Sequence, residues 1–169
     1  EYLQKSLDKF YPNLKQYPKM VNEKEYSRII EMIKHDESYL ISDLIKDDEA
    51  LKIKTVLLKA MLSDTSELSS MKQEIFGPVL PILVYEDLNE ALRFINAKAT
   101  PLALYIFGKR RKMIDHVLVH VDSGGASINS TIIHMVNENL PFGGFRQSGM
   151  GSYHGKYSVD TFTHTQGVY

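Results

Sequence analysis

The sequence predicts an α/β fold: a mostly parallel sheet with crossover helices, and a strand arm at the C-terminus. Three observations carry that reading. Residues 79–129 alternate apolar β-type runs with amphipathic helical patterns, in the order strand–helix–strand–helix–strand. That order implies crossover units and parallel pairing. The run Val79–Tyr85 is continuously apolar and partly β-branched, as a strand buried on both faces is. The run Val159–Val168, with its Thr and Phe, reads as a final strand with no partner inside the domain, so it is expected to pair with a missing segment or a neighbouring subunit.

The elements follow in order. Leu3, Leu7 and Phe10 share one helical face, and Tyr11-Pro12-Asn13 ends that helix. Asn22 caps a second helix, with Glu23 and Glu25 in its first turn and Tyr26, Ile29, Ile30 and Ile33 as its apolar stripe. Residues 35–50 are acidic and weakly patterned, a loop with short strand pieces. Lys52–Leu58 alternates and then turns apolar, which predicts a strand. Asp64 or Thr65 caps a short helix running through Met71. Asp87 caps a helix bearing Leu88, Ala91, Leu92 and Ile95. Leu102–Phe107 is a short strand, and Lys109–Val121 a helix with Ile114, Val117, Leu118 and Val121 on its apolar side. A turn at Ser123-Gly124-Gly125 leads into a strand ending at Asn129, and a glycine-rich loop runs from Pro141 to Gly155.

Composition narrows the function classes. At 169 residues, with 43% hydrophobic and 24% charged, the chain can bury a core. A net charge of -1 gives no electrostatic case for nucleic acid. With no cysteine there is no disulfide, thiolate metal site or thiol nucleophile within these residues. No apolar run reaches the roughly 18 residues that a membrane helix needs. The chain opens on Glu1-Tyr2-Leu3 inside a helical pattern and without Met, so an excised portion of a longer protein is expected.

Two constellations carry chemistry. Glu74-Ile75-Phe76-Gly77-Pro78 sets a carboxylate, an aromatic and a tight turn directly before a buried strand. A carboxylate offers two acceptor oxygens to a pair of ribose hydroxyls, and Phe76 could wall a flat ring. The same residues also fit a helix-end acid, a core Phe and a plain turn. In the second constellation a strand ends at Asn129, an apolar loop with Ile132 and Met135 follows, and Phe142 stands on the rigid turn Pro141-Phe142-Gly143-Gly144. Ligand sites in open parallel sheets lie beyond the carboxyl ends of strands. A surface loop anchored by core residues fits these positions too.

These residues resemble the C-terminal half of an aldehyde dehydrogenase. The likeness rests on Glu74–Ile82, Pro101–Phe107, Ser123-Gly124-Gly125 with Asn129, and Pro141–Gly144. Its most specific part is Ser148-Gly149-Met150-Gly151-Ser152-Tyr153-His154-Gly155-Lys156, followed by Asp160–His164, which is similar to the class 3 branch that includes the fatty aldehyde dehydrogenases. The resemblance implies that residues 1–156 are a portion of the catalytic domain and 157–169 an oligomerisation arm strand.

By position, it implies that Glu74 holds the hydroxyls of the nicotinamide ribose of NAD or NADP and that Phe76 lies against the nicotinamide side. Phe142 lines the aldehyde access channel with Ile132 and Met135, and Asn129 braces the loop carrying the nucleophile. The family's cysteine attacks the aldehyde, hydride leaves to the nicotinamide, and a glutamate activates the water that releases the acid. The cysteine, the glutamate and most of the dinucleotide-binding domain are expected upstream, so these residues alone should be inactive. The expected partners are an aldehyde (aliphatic, fatty or aromatic), the missing N-terminal domain and a second copy in a homodimer. The expected location is the cytoplasm, or a membrane reached through a tail outside these residues. The alternatives are a non-catalytic assembly domain of the same fold, or an acyl-phosphate or acyl-thioester reductase.

Some residues depart from the branch. Phe145-Arg146-Gln147 stands where class 3 members carry smaller residues, and Val136–Asn139 is more polar than usual. Other signals read as structural. His116 and His120 are four apart on a helix, but no third ligand is near in sequence, so no metal is expected. Lys109–Lys112 reads as a solvated turn opening a helix. Gly149, Gly151 and Gly155 lack dinucleotide-loop spacing, and Tyr153 and His154 read as loop braces.

Overall fold

The computed structural model describes residues 1–169. The chain divides into two compact units, Glu1–Glu86 and Asp87–Tyr169. That division is placed differently from the 1–156 and 157–169 portions that the resemblance implies.

In the first unit, helix α1 spans Tyr2–Phe10 and helix α2 spans Glu23–His35. Asn22 caps α2, its Oδ1 accepting the Glu25 N–H at 2.9 Å. The stripe expected on α2 is the heart of the core: Tyr26, Ile29, Ile30, Met32 and Ile33 are all buried. They pack with Ile53, Val56, Leu58, Ala60, Leu68 and Val79.

The strand expected over 52–58 divides in two. Strand β1 (Lys46–Asp47) pairs antiparallel with β2 (Lys52–Ile53). Strand β3 (Val56–Met61) then pairs in parallel with β4 (Val79–Val84), Val56 opposite Val79 and Met61 opposite Val84. Lys54 and Thr55 are where the chain changes partner, the Lys54 N–H already donating to the Ile45 carbonyl at 2.8 Å. The short helix expected through Met71 is a pair of 3₁₀ turns, Leu62–Ser66 and Ser69–Met71.

Asp36 ties α2 to the second of those turns. Its fully buried carboxylate accepts the N–H groups of Ser69 at 2.7 Å and Ser70 at 2.9 Å, and meets His35 Nδ1 at 2.9 Å. Burial pushes this carboxyl upward, but hydrogen bonds from Ser70, His35 and Ser69 outweigh it and hold it below the ordinary aspartate value.

In the second unit, helix α3 (Leu88–Asn96) precedes strand β5 (Ala103–Ile106), helix α4 (Arg111–His120) and strand β6 (Gly125–Ile128). β5 and β6 are parallel, with Ala103 opposite Gly125 and Ile106 opposite Ile128. The crossover predicted through 109–121 is therefore present. On α4, Ile114 is buried, as is Val121 just beyond it, while Leu118 is 37% exposed. A short helix α5 (Ile133–Val136) forms inside the loop expected after Asn129.

The predicted strand Val159–Val168 is corrected: Lys156–Phe162 is helix α6, and 163–169 has no strand pairing. A strand must have a neighbour to satisfy its backbone, and a helix satisfies its own. Local bonds also favour the helix, with Thr161 Oγ1 donating to the Ser152 carbonyl at 2.7 Å and Ser158 Oγ accepting the His154 N–H at 3.1 Å.

Candidate functional site

In the first unit the Glu74–Pro78 segment leads directly into β4. Arg28 on α2 fixes its main chain, donating from Nη2 to the Ile75 carbonyl at 2.7 Å and from Nη1 to the Glu74 carbonyl at 3.5 Å. Arg28 is itself held by Glu25, Nε to Oε2 at 2.7 Å. The Glu74 carboxylate is exposed, and only its backbone carbonyl is engaged, so both side-chain oxygens are free to accept.

Phe76 takes a left-handed φ of 46° and is 79% exposed, so its ring is presented to solvent and not spent on the core. A bulky residue in that region costs free energy and clusters at functional positions. The positive φ of the turn belongs to Phe76 and not to Gly77. Gly77 serves clearance instead: a Cβ there would stand 2.6 Å from Ile29 Cδ1 in the core. Beside the turn, Tyr17, Met20, Ile53, Phe76 and Pro78 line a recess of about 250 Å³.

In the second unit, Asn129 follows β6 with φ 54°. Its Oδ1 accepts the Gly108 N–H at 2.8 Å, and its Nδ2 donates to the Gly108 carbonyl at 3.0 Å. Asn129 thus closes the loop after β5 onto the end of β6. Asparagine suits the position, because it tolerates left-handed φ and offers both a donor and an acceptor.

Ile132, with φ 66°, stands at the N-cap position just before α5, and Met135 lies within the helix; they are 52% and 39% exposed. Phe142 is half-buried, and its backbone pairs with Tyr153 in both directions, N–H to carbonyl at 3.1 and 2.9 Å. The Phe142 ring meets Tyr153 edge-on at 5.5 Å and stacks on His154 at 6.2 Å. Tyr153 and His154 therefore brace the Phe142 turn. The two glycines after Phe142 allow the close packing: a Cβ on Gly143 would lie 2.1 Å from the Gly151 carbonyl oxygen.

The expected residues thus fall into two groups, Glu74 with Phe76 in the first unit and Asn129, Ile132, Met135 and Phe142 in the second. Arg28 gave no sequence signal, since an arginine beside an apolar stripe usually faces solvent. His134, buried behind Phe142, was also missed. A lone histidine between Ile133 and Met135 in an apolar run was the available clue. Of the discounted histidines, His116 Nε2 meets Asn89 Oδ1 at 3.0 Å and His120 Nδ1 meets the His116 carbonyl at 2.7 Å.

Residues 13–168 match the aldehyde dehydrogenase family. The chain belongs to that family. It is 41% identical over 166 residues to the 4,4'-diaponeurosporen-aldehyde dehydrogenase of Staphylococcus aureus, covering 96% of this chain and 36% of that relative. It is 40% identical over 149 residues to the mouse aldehyde dehydrogenase family 3 member A2, covering 88% of this chain and 30% of that relative. The class 3 likeness of the tail agrees with these relatives. Among solved structures, the substrate-bound state of Staphylococcus aureus AldH superposes with a TM-score of 0.87 at 41% identity, over 96% of this chain and 36% of that one. An NAD+ complex of a Bacillus cereus aldehyde dehydrogenase shares the fold, with a TM-score of 0.72 at 24% identity over 86% of this chain and 30% of that one. This aldehyde dehydrogenase chain therefore spans about a third of the length of the relatives it matches.

Proposed function

We propose that the protein carrying these residues oxidises aliphatic, fatty or aromatic aldehydes to carboxylic acids with NAD or NADP, and that residues 1–169 contribute to that chemistry. The observation that carries this reading is the free, exposed Glu74 carboxylate on a turn anchored by Arg28, with the exposed Phe76 ring two residues on. The two Glu74 oxygens would accept from the two hydroxyls of the nicotinamide ribose, and Phe76 would face the ring's side. The nicotinamide, when bound, accepts the hydride from the aldehyde carbon. The role of Glu74 and Phe76 is orientation, which shortens the distance over which hydride must travel.

Phe142, Ile132 and Met135 would form the apolar side of the aldehyde channel. Their half-buried to exposed side chains support that reading, because an apolar tail gains free energy by covering them. Asn129 would hold the strand end from which this channel projects. The thiol attack and the activation of water come from outside these residues, which contain no cysteine.

The use of NADP is supported by the mouse relative named aldehyde dehydrogenase, dimeric NADP-preferring, which is 38% identical over 168 residues. Its name supports a homodimer as well. Residues 157–169 would be the arm that reaches the second copy, consistent with Phe162 and Val168 being 85% and 88% exposed. No helix here is long and apolar enough to cross a membrane. Attachment through a tail elsewhere in the protein, or a cytoplasmic location, is part of this proposal.

The alternative of a non-catalytic assembly domain is favoured by the absence of a cysteine. The test is aldehyde oxidation by residues 1–169 and by the full-length protein, side by side, with short, long-chain and aromatic aldehydes and either cofactor. Activity of the full-length protein alone supports the proposal. Inactivity of both moves the assembly reading ahead, and activity of residues 1–169 would contradict the chemistry assigned to an outside thiol.

A further inference from the structure

His134 lies on α5 with only 6% of its surface exposed. Its ring sits 5.9 Å from Tyr105 of β5 and 5.8 Å from Phe142, centroid to centroid. Nδ1 is 2.9 Å from Ser127 Oγ on β6, and the same oxygen is 3.4 Å from the His134 backbone N–H. Nε2 is buried with no partner.

Counting donors assigns the tautomer. Ser127 Oγ already accepts the His134 N–H. If its own hydrogen points at Nδ1, the ring is the Nε2–H form and one buried group, that N–H, is unpaired. If Nδ1 carries the proton, the serine hydrogen and the bare Nε2 are both unpaired. Each buried orphan costs free energy, so the arrangement with one of them wins.

β6 is built to receive this ring. Gly125 and Ser127 are two apart and share one face of the strand. A Cβ at Gly125 would stand 2.6 Å from His134 Cδ2 and 3.1 Å from Nε2. The glycine makes the space, and the serine sets the ring's orientation within it.

We propose that His134 is a positioning residue: held by Ser127, its ring fixes the Phe142 side chain and through it the wall that selects the aldehyde's tail. This rests on the proposed role of Phe142 in the aldehyde channel. The Phe142 backbone is fixed independently by its pairing with Tyr153. His154 stacks with the Phe142 ring and His134 supports it in a tilted contact. Removing His134 therefore takes away one of the three rings that hold the Phe142 side chain and loosens it without moving the turn. The loss falls on binding of bulky aldehydes and leaves cofactor binding alone.

The test uses the full-length protein with His134→Leu and Ser127→Ala. KM and kcat are measured for a three-carbon and a long-chain aldehyde, together with KM for the cofactor. His134→Leu should raise the long-chain KM about tenfold with kcat within about twofold. The three-carbon aldehyde and the cofactor should be little affected. Ser127→Ala, the milder change, should move the long-chain KM the same way and carries the test if His134→Leu does not fold. Nitrogen-15 spectra of the imidazoles should show Nε2 protonated and Nδ1 bare. An equal fall in kcat for both aldehydes at unchanged KM would overturn the proposal, as would a protonated Nδ1. A wild-type protein that oxidises neither aldehyde overturns the underlying function, an outcome distinct from active wild type with indifferent variants.

Discussion

Arg28 Nη2 donates to the Ile75 carbonyl at 2.7 Å, so the helix that forms the core also fixes the turn that presents Glu74 and Phe76. Arg28→Met keeps the aliphatic stem and removes the donors. It should cost about 1.5–3 kcal/mol, the usual range for hydrogen bonds from a charged group. In the full-length protein it should raise KM for the nicotinamide cofactor more than KM for the aldehyde. Denaturant unfolding and steady-state kinetics check the two halves, and no change in either would remove Arg28 from the site's support.

The Asp36 carboxylate is the acceptor for the Ser69 and Ser70 N–H groups. Asp36→Asn swaps one acceptor oxygen for a donor and should leave a buried N–H unpaired, at about 1–3 kcal/mol. The folded-state value is depressed, so the unfolded chain binds this proton more readily. The stability Asp36 contributes is then present above the ordinary aspartate pKa and lost as pH falls through the lowered one. Acid unfolding curves of wild type should carry that slope, and those of Asp36→Asn should lack it.

Tyr26 behaves in the opposite sense. Its part-buried hydroxyl donates to Asp48 Oδ1 at 2.7 Å, and burial first, then Asp48, pushes its pKa from 10.0 to about 12. The folded chain holds this proton more tightly, so its contribution is complete below pH 10 and lost as pH rises toward 12. Tyr26→Phe should flatten stability against pH in that window. The difference between the wild-type and variant curves is the readout.

Asn129 combines two demands, a left-handed backbone and a two-way clamp on Gly108. Both Asn129→Ala and Asn129→Gly lose the clamp, but only alanine also strains at φ 54°. Alanine should therefore be the less stable variant by about 1 kcal/mol. Equal melting temperatures would mean that the backbone relaxes at this position.

Local pattern made much of this fold legible, and long-range choice hid the rest. The α2 stripe and its Asn22 cap are read from spacing alone, because a helix satisfies its own backbone. The change of partner at Lys54-Thr55 is invisible locally, since β2 and β3 have one continuous strand-like pattern. Val159–Val168 shows the converse: Thr and Phe favour a strand, but the backbone of Lys156–Phe162 closes on itself as a helix. At the site, Glu74 and Phe142 could be named from motifs. The left-handed φ of Phe76, the grip of Arg28 and the buried contact of His134 with Ser127 depend on residues far apart or on backbone angles that composition does not encode.

The most direct test of the account is the rate of hydride transfer in the full-length protein with Glu74→Gln. It is read as the first turnover of reduced nicotinamide appearing after rapid mixing with a saturating aldehyde. If the Glu74 oxygens hold the ribose, the variant transfers hydride more slowly, by about tenfold or more, while its KM for aldehyde changes little. Equal first-turnover rates in wild type and variant would contradict the assignment of Glu74 as the residue that orients the cofactor.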